Sequence, residues 1–142
     1  MRVVLDTNVI VSVLISPHGP PARIRDALRH ARFELVLSPP LIAEYRQTLN
    51  YPRLARRHGL TPAEVDEEVA TLARFAILVD PTRPPGVTPR DPKDAMVLAC
   101  AEAGEAQIIV SGDDDLLVLR QYRDIRILSP AAFLQLLATE PG

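Results

Sequence analysis

Val3-Val4-Leu5-Asp6-Thr7-Asn8-Val9-Ile10-Val11 carries a β-branched run up to a carboxylate and then resumes as a second apolar run. Arg2 to Leu5 reads as a short buried strand ending at Asp6. Asn8 to Ile15 continues apolar at helical length until Ser16-Pro17-His18-Gly19-Pro20-Pro21 stops it. A strand passing straight into a helix opens an α/β unit, and the rest of the chain repeats the alternation. Ala22 to Ala31 sets Ile24, Ala27, Leu28 and Ala31 on one helical face, and Phe33 to Leu37 reads as a second strand. Ser38 caps a helix over Leu41 to Leu49 with Pro39 and Pro40 in its first turn. A basic piece, Arg53 to His58, follows Pro52 and ends at Gly59. Thr61-Pro62-Ala63-Glu64 is a capping-box start for a helix to about Phe75. Ile77 to Val79 is a brief third strand, and Asp80 to Asp91, with four prolines and Gly86, is a stiff loop. Asp91-Pro92 opens a helix closed by Gly104, Gln107 to Val110 is a fourth strand, Arg126 to Leu128 a fifth, and Ser129-Pro130 starts a last helix. The expected fold is α/β: a three-layer α/β/α sandwich around a mostly parallel sheet of about five strands.

The 142 residues suit one domain spanning 1–142. Apolar residues make up 47% and aromatics 4%, with no tryptophan, so the core is aliphatic. The lone Cys100 excludes an intramolecular disulfide and fits a reducing compartment. Lying in an apolar helical run, it reads as an inert core thiol. No stretch reaches the roughly 20 apolar residues that span a bilayer. The first apolar run is broken by Asp6 and Asn8 and lacks a small-residue cleavage site, so no signal peptide and a cytoplasmic location are expected. Net charge is −2, from 16 basic and 18 acidic residues. That balance lacks the overall basic footprint of a nucleic-acid binder, and any such role must rest on local patches.

The acidic residues are the chemical signal. In open parallel sheets ligands bind beyond the carboxyl ends of the strands. Asp6 ends the first strand and Asp113-Asp114-Asp115 follow the fourth. Glu44 lies near the start of the helix after strand two, and Asp94 in the first turn of the helix before strand four. Each has a plainer reading: Asp6 as a helix cap, Asp91 and Asp94 as charges at a helix N-terminus, Glu44 as a surface partner of Arg46 or Arg53, and 113–115 as a turn. Against these, Asp6 is embedded between apolar runs where an unpaired carboxylate is costly. Three consecutive aspartates also repel one another unless solvent or a cation relieves them. Hard divalent cations favour such oxygen ligands. His18, His30 and His58 have no zinc-like spacing and read as surface residues.

Taken in order, the acidic segments resemble the PIN domain, most closely the prokaryotic PIN-family toxins of toxin–antitoxin pairs (the VapC-like group). Val3-Val4-Leu5-Asp6-Thr7-Asn8-Val9 looks like the first motif, a strand ending in Asp-x-Asn. Ser38-Pro39-Pro40-Leu41-Ile42-Ala43-Glu44 resembles the second. Arg90-Asp91-Pro92-Lys93-Asp94-Ala95-Met96-Val97-Leu98-Ala99 resembles the third. Val110-Ser111-Gly112-Asp113-Asp114-Asp115-Leu116 resembles the fourth, with Ser111 where Thr is commoner and Leu116 at a frequently aromatic position. The resemblance covers nearly the whole chain.

It implies a metal-dependent endoribonuclease in which Asp6, Glu44, Asp94 and Asp113 hold one or two Mg²⁺ or Mn²⁺ ions, with Asp115 and Asp91 as further candidate ligands. A bound ion can acidify a water and neutralise charge developing on a phosphate. Asn8 and Ser111 would orient a carboxylate, a water or the scissile phosphate. The basic Arg53, Arg56 and Arg57 could grip RNA backbone, present a solvated face or meet an acidic antitoxin. The scarcity of aromatics argues against base stacking as the main recognition mode. The resemblance further implies a small antitoxin partner and a homodimer. An RNA-processing nuclease without a toxin role and a catalytically inactive PIN-fold binding module are the alternatives; the presence of all four acids argues against the latter. A phosphotransfer domain built on Asp6 fits less well, since Asn8 stands where a phosphatase of that type needs a second Asp.

Overall fold

A computed structural model describes residues 1–81 and 91–139. Among these, the sheet has strands β1 (Arg2–Leu5), β2 (Glu34–Leu37), β3 (Ile77–Leu78), β4 (Ile108–Val110), β5 (Gln121–Tyr122) and β6 (Ile125–Leu128). Their order is β3-β2-β1-β4-β6-β5. All pairings are parallel except β5 with β6. The helices are α1 (Thr7–Ile15), α2 (Pro20–Arg29), α3 (Pro39–Leu49), α4 (Pro52–His58), α5 (Pro62–Phe75), α6 (Pro92–Ala103), α7 (Asp114–Leu117) and α8 (Pro130–Thr139). The architecture is the expected α/β/α sandwich. Helix α6 packs on β1, β2 and β4, while α8 packs on β6 and against α2.

The central strands carry unbroken apolar runs because helices cover both of their faces. Val3-Val4-Leu5, Leu35-Val36-Leu37 and Ile108-Ile109-Val110 are all buried. Phe33 meets Phe133 of α8 edge-to-face, with centroids 5.2 Å apart. The capping box at Thr61 forms as the sequence indicates: Thr61 Oγ1 accepts from the Glu64 amide (3.2 Å) and Glu64 Oε1 from the Thr61 amide (3.0 Å). Ser38 likewise caps α3, accepting from the Leu41 amide at 3.4 Å.

Several expectations need correction. The sheet has six strands rather than about five. Strand β5 has only two residues, too few for an alternation to register, and it pairs antiparallel with β6 around Arg123 and Asp124. Arg123 adopts φ +54° there. Asp114–Leu117 is a short helix, α7, and not merely a turn. His58 is half-buried. Its Nδ1 accepts from the Leu60 amide (2.9 Å), so its Nε2–H donates to the Leu49 carbonyl (2.8 Å), tying α4 back to the end of α3. His18 and His30 are exposed, as expected. Most of the proline-rich loop expected over 80–91 lies outside the described residues.

Gly104 ends α6 at φ −86°, a conformation open to any residue. Its role is spatial. A Cβ there would lie 2.4 Å from Val36 Cγ1, and Val36 is fully buried in β2. Gly104→Ala is therefore expected to cost about 1–3 kcal/mol through overpacking. The check is a lower denaturant midpoint with an unchanged slope.

Candidate metal centre

Successive strands run outward from β1 in two directions, towards β3 on one side and through β4 to β5 on the other. The carboxyl ends of β1 and β4 therefore form a switch point, where a ligand crevice is expected. The Asp6 amide donates to the Val110 carbonyl (2.9 Å), carrying the β1–β4 pairing one residue past the strands. Asp6 caps α1, its Oδ1 accepting from the Thr7 amide at 2.7 Å. Its Oδ2 accepts from the Ser111 hydroxyl, also at 2.7 Å. Ser111 Oγ in turn accepts from the Asp113 amide (2.9 Å), so one fully buried hydroxyl braces two acids. Asp113 caps α7, with Oδ1 accepting from the Asp115 amide at 2.9 Å. Asp94 projects from the first turn of α6, which Asp91 caps by accepting from the Lys93 amide. One carboxylate oxygen from each of Asp6, Asp94 and Asp113 lies within 4.8 Å of the other two.

Crowding on this scale perturbs the acids. Asp94 is only 3% exposed. Burial first, then the charges of Asp113 and Asp6, push its carboxyl up to about 6. Burial also raises Asp6; the bonds from Ser111 and Thr7 oppose this, while the charges of Asp113 and Asp91 add to it. Asp94 Oδ2 is buried without a hydrogen-bond partner among the described residues. Buried polar atoms are almost always satisfied, so this orphan calls for an explanation. A convergent all-oxygen donor set with an unmet buried oxygen fits a hard divalent cation of the Mg²⁺ or Mn²⁺ kind.

A PIN domain family model matches residues 2–115, from β1 into α7, and so spans Asp6, Asp91, Asp94, Asp113 and Asp115. The chain belongs to the PIN domain family. The uncharacterized protein MJ1680 of Methanocaldococcus jannaschii is 29% identical to this PIN domain over 120 residues, covering 84% of this chain and 76% of that protein. PAE2754 from Pyrobaculum aerophilum shares the fold with a TM-score of 0.64 and 15% identity over 99% of this chain and 91% of its own. VapBC2 from Rickettsia felis, solved bound to a DNA fragment from their promoter, gives 0.59 and 10%, covering 91% of this chain and 98% of that one. FitAcB from Neisseria gonorrhoeae gives 0.58 and 16% at the same coverage. At these identities the three likenesses are likenesses of fold.

Glu44 lines the same cleft of the PIN domain, a space of about 390 Å³, together with Asp6, Asp94 and Asp113. It stands outside the three-acid cluster. Nor is it a surface partner of Arg46, which pairs with Asp66 at 2.9 Å. Glu44 is buried on α3, and its Oε1 accepts from Lys93 Nζ (3.1 Å) and the Thr48 hydroxyl (3.4 Å). That bond holds the Lys93 ammonium above its ordinary range. Asn8, Arg53 and Arg57 also line the cleft, whereas Arg56 does not. Arg53 and Arg57, four residues apart, share one face of α4. Asp91 lines the cleft with Oδ1 engaged in its cap, and Asp115 lies outside the three-acid cluster.

The sequence reading assigned no role to two residues of this PIN domain. The fully buried Tyr45 donates its hydroxyl to the Leu5 carbonyl at 2.7 Å, fastening α3 to the residue before Asp6. Its signal was an aromatic with a polar tip set between Leu41 and Leu49 at helical spacing, where a buried hydroxyl must find a partner. Lys93 was signalled by a cation in the first turn of a helix, where the macrodipole disfavours one. The two hydrogen bonds of Ser111 make a sharp test of its orienting role. Ser111→Ala removes the donor to Asp6 and the acceptor for the Asp113 amide together. Mn²⁺ affinity measured by calorimetry is expected to fall about 10–100-fold, with Ser111→Thr, which keeps the hydroxyl, retaining most of it.

Proposed function

We propose that this PIN domain is a Mg²⁺- or Mn²⁺-dependent endoribonuclease and the toxin of a toxin–antitoxin pair. The observation that carries the reading is the convergence of Asp6, Asp94 and Asp113, with an Asp94 oxygen buried and unsatisfied among the described residues, at a cleft lined by Arg53 and Arg57. A divalent ion held there supplies Lewis acidity, acidifying a water and neutralising charge that develops on a phosphate. The chain's own residues do the positioning. Thr7 and Ser111 fix both oxygens of Asp6, and Ser111 aligns the start of α7 so that Asp113 faces Asp6. Arg53 and Arg57 place two guanidinium groups where phosphates flanking the scissile bond can be gripped. Asn8, exposed in the first turn of α1, orients the phosphate or the attacking water. No protein nucleophile is called on: the Cys100 thiol is fully buried, and burial pushes it up to about 11.

The toxin role rests on the VapC-like resemblance of the four motifs and on the fold shared with VapBC2. A small antitoxin partner, a homodimer and a cytoplasmic site of action go with it, and residues 1–142 act as one nuclease domain. Among the described residues no helix is long and apolar enough to cross a membrane.

The test is a panel of mixed-sequence RNAs and matching single-stranded DNAs incubated with Mn²⁺, with Mg²⁺, or with chelator. Cutting of RNA only when metal is present is the expected result. Cutting that persists in chelator, or falls on DNA and RNA alike, would overturn the reading.

A further inference from the structure

Glu44 and the three clustered aspartates share one cleft but are held differently. Among the described residues Asp94 leaves an oxygen unmet, whereas Glu44, 8% exposed, already has a cation: Lys93 Nζ lies 3.1 Å from its Oε1. A carboxylate this far from water depends on its partner, and losing that partner leaves a buried charge uncompensated. The placement of Lys93 also runs against local electrostatics. It stands in the first turn of α6, where the helix end is positive and a cation is disfavoured. Its amide is bonded to the capping Asp91, which fixes the main chain from which the side chain departs. What draws an ammonium to this position is the acidic cleft itself, with Glu44 nearest. Neighbouring residues of one helical turn thus face two cation positions: Asp94 offers a ligand to an ion, and Lys93 brings its own charge.

We propose that the Lys93 ammonium occupies the second cation position of this centre, so that the cleft takes a single divalent ion, at Asp6, Asp94 and Asp113. This rests on the metal-centre reading above. A second divalent ion at Glu44 would have to displace a bonded ammonium carried on the chain itself. The ammonium has three donors on a flexible stem. With one on Glu44, another can meet a non-bridging phosphate oxygen of an RNA strand in the cleft and supply positive charge there without a second metal.

The test counts Mn²⁺ bound to the full-length protein by electron paramagnetic resonance, where free and bound Mn²⁺ give distinct signals. The wild type is expected to bind one ion per chain and Lys93→Arg also one. Lys93→Met, a change at a half-exposed side chain, should gain a second, weaker site that disappears in the Lys93→Met, Glu44→Gln double variant. Two ions in the wild type, or still only one in folded Lys93→Met, would overturn the assignment of Lys93 while leaving the metal centre standing. Should Lys93→Met not fold, Lys93→Gln takes its place with the same expected gain. No bound ion in the wild type would overturn both.

Discussion

Asp6→Asn is expected to lower metal-dependent RNA cleavage by at least about 100-fold while leaving the fold intact. Asparagine is as good a helix cap as aspartate, so α1 keeps its start and the Thr7 amide keeps an acceptor. What is lost is the charge at the meeting point of β1 and β4. The Ser111 hydroxyl, which donates to Asp6 Oδ2, would also face an amide nitrogen or a turned side chain. Changes in residues that only support a metal ligand already cost 10–100-fold, and replacing the ligand itself should reach the top of that range or pass it. Initial rates on one RNA substrate, beside far-ultraviolet circular dichroism of both proteins, provide the check. Activity within a few-fold of wild type would remove Asp6 from the centre.

Asp94→Asn is expected to make the metal-free protein more stable and the metal-loaded protein less so. In the unfolded chain the Asp94 carboxyl titrates near its ordinary 3.8, and in the fold near 6. The native state therefore holds this proton more tightly, and stability falls as pH rises from about 4 to about 6. Above that window both states are ionised, and the fold carries a penalty of at most about 3 kcal/mol from this residue. Asparagine removes the charge but buries an amide in its place. The net gain at pH 7.5 should thus be nearer 1–2 kcal/mol, or about 3–6 °C in Tm. Below about pH 4 the two proteins should converge. Saturating Mn²⁺ should raise Tm of the wild type and leave Asp94→Asn nearly unmoved, reversing their order. Thermal melts across pH, with and without Mn²⁺, test both halves. A variant less stable than wild type without metal would show that Asp94 is a satisfied structural residue.

The parts of this molecule legible in the sequence are those written locally. Strands β1, β2 and β4 are continuous apolar runs because both of their faces are covered, and Asp6 and Asp113 stand out at the ends of such runs. Caps at Ser38, Thr61 and Asp91 rest on contacts within three residues. The rest depends on contacts between distant segments. The Ser111–Asp6 bond spans 105 positions and exists only because β1 and β4 pair in the register Leu5 with Val110. Glu44 was legible as an acid on a helix, but its pairing with Lys93 and not with Arg46 follows from how α3 meets α6, which no periodicity encodes. His58 looked exposed among arginines and turned inward because the chain end of α3 offers it a carbonyl. Strand β5 and helix α7 are too short to leave a pattern.

Asp6, Asp94 and Asp113 are proposed to form together a divalent-cation site that the fold leaves under charge strain. Mn²⁺ titration calorimetry at pH 6, run in two buffers of different ionisation enthalpy, tests it most directly. Binding should release protons, because burial and the neighbouring acids hold the Asp94 carboxyl up to about 6 and it must ionise to serve as a ligand. Asp94→Asn should bind at least about 100-fold more weakly and release fewer protons. Equal affinity and equal proton release in the two proteins would contradict the account.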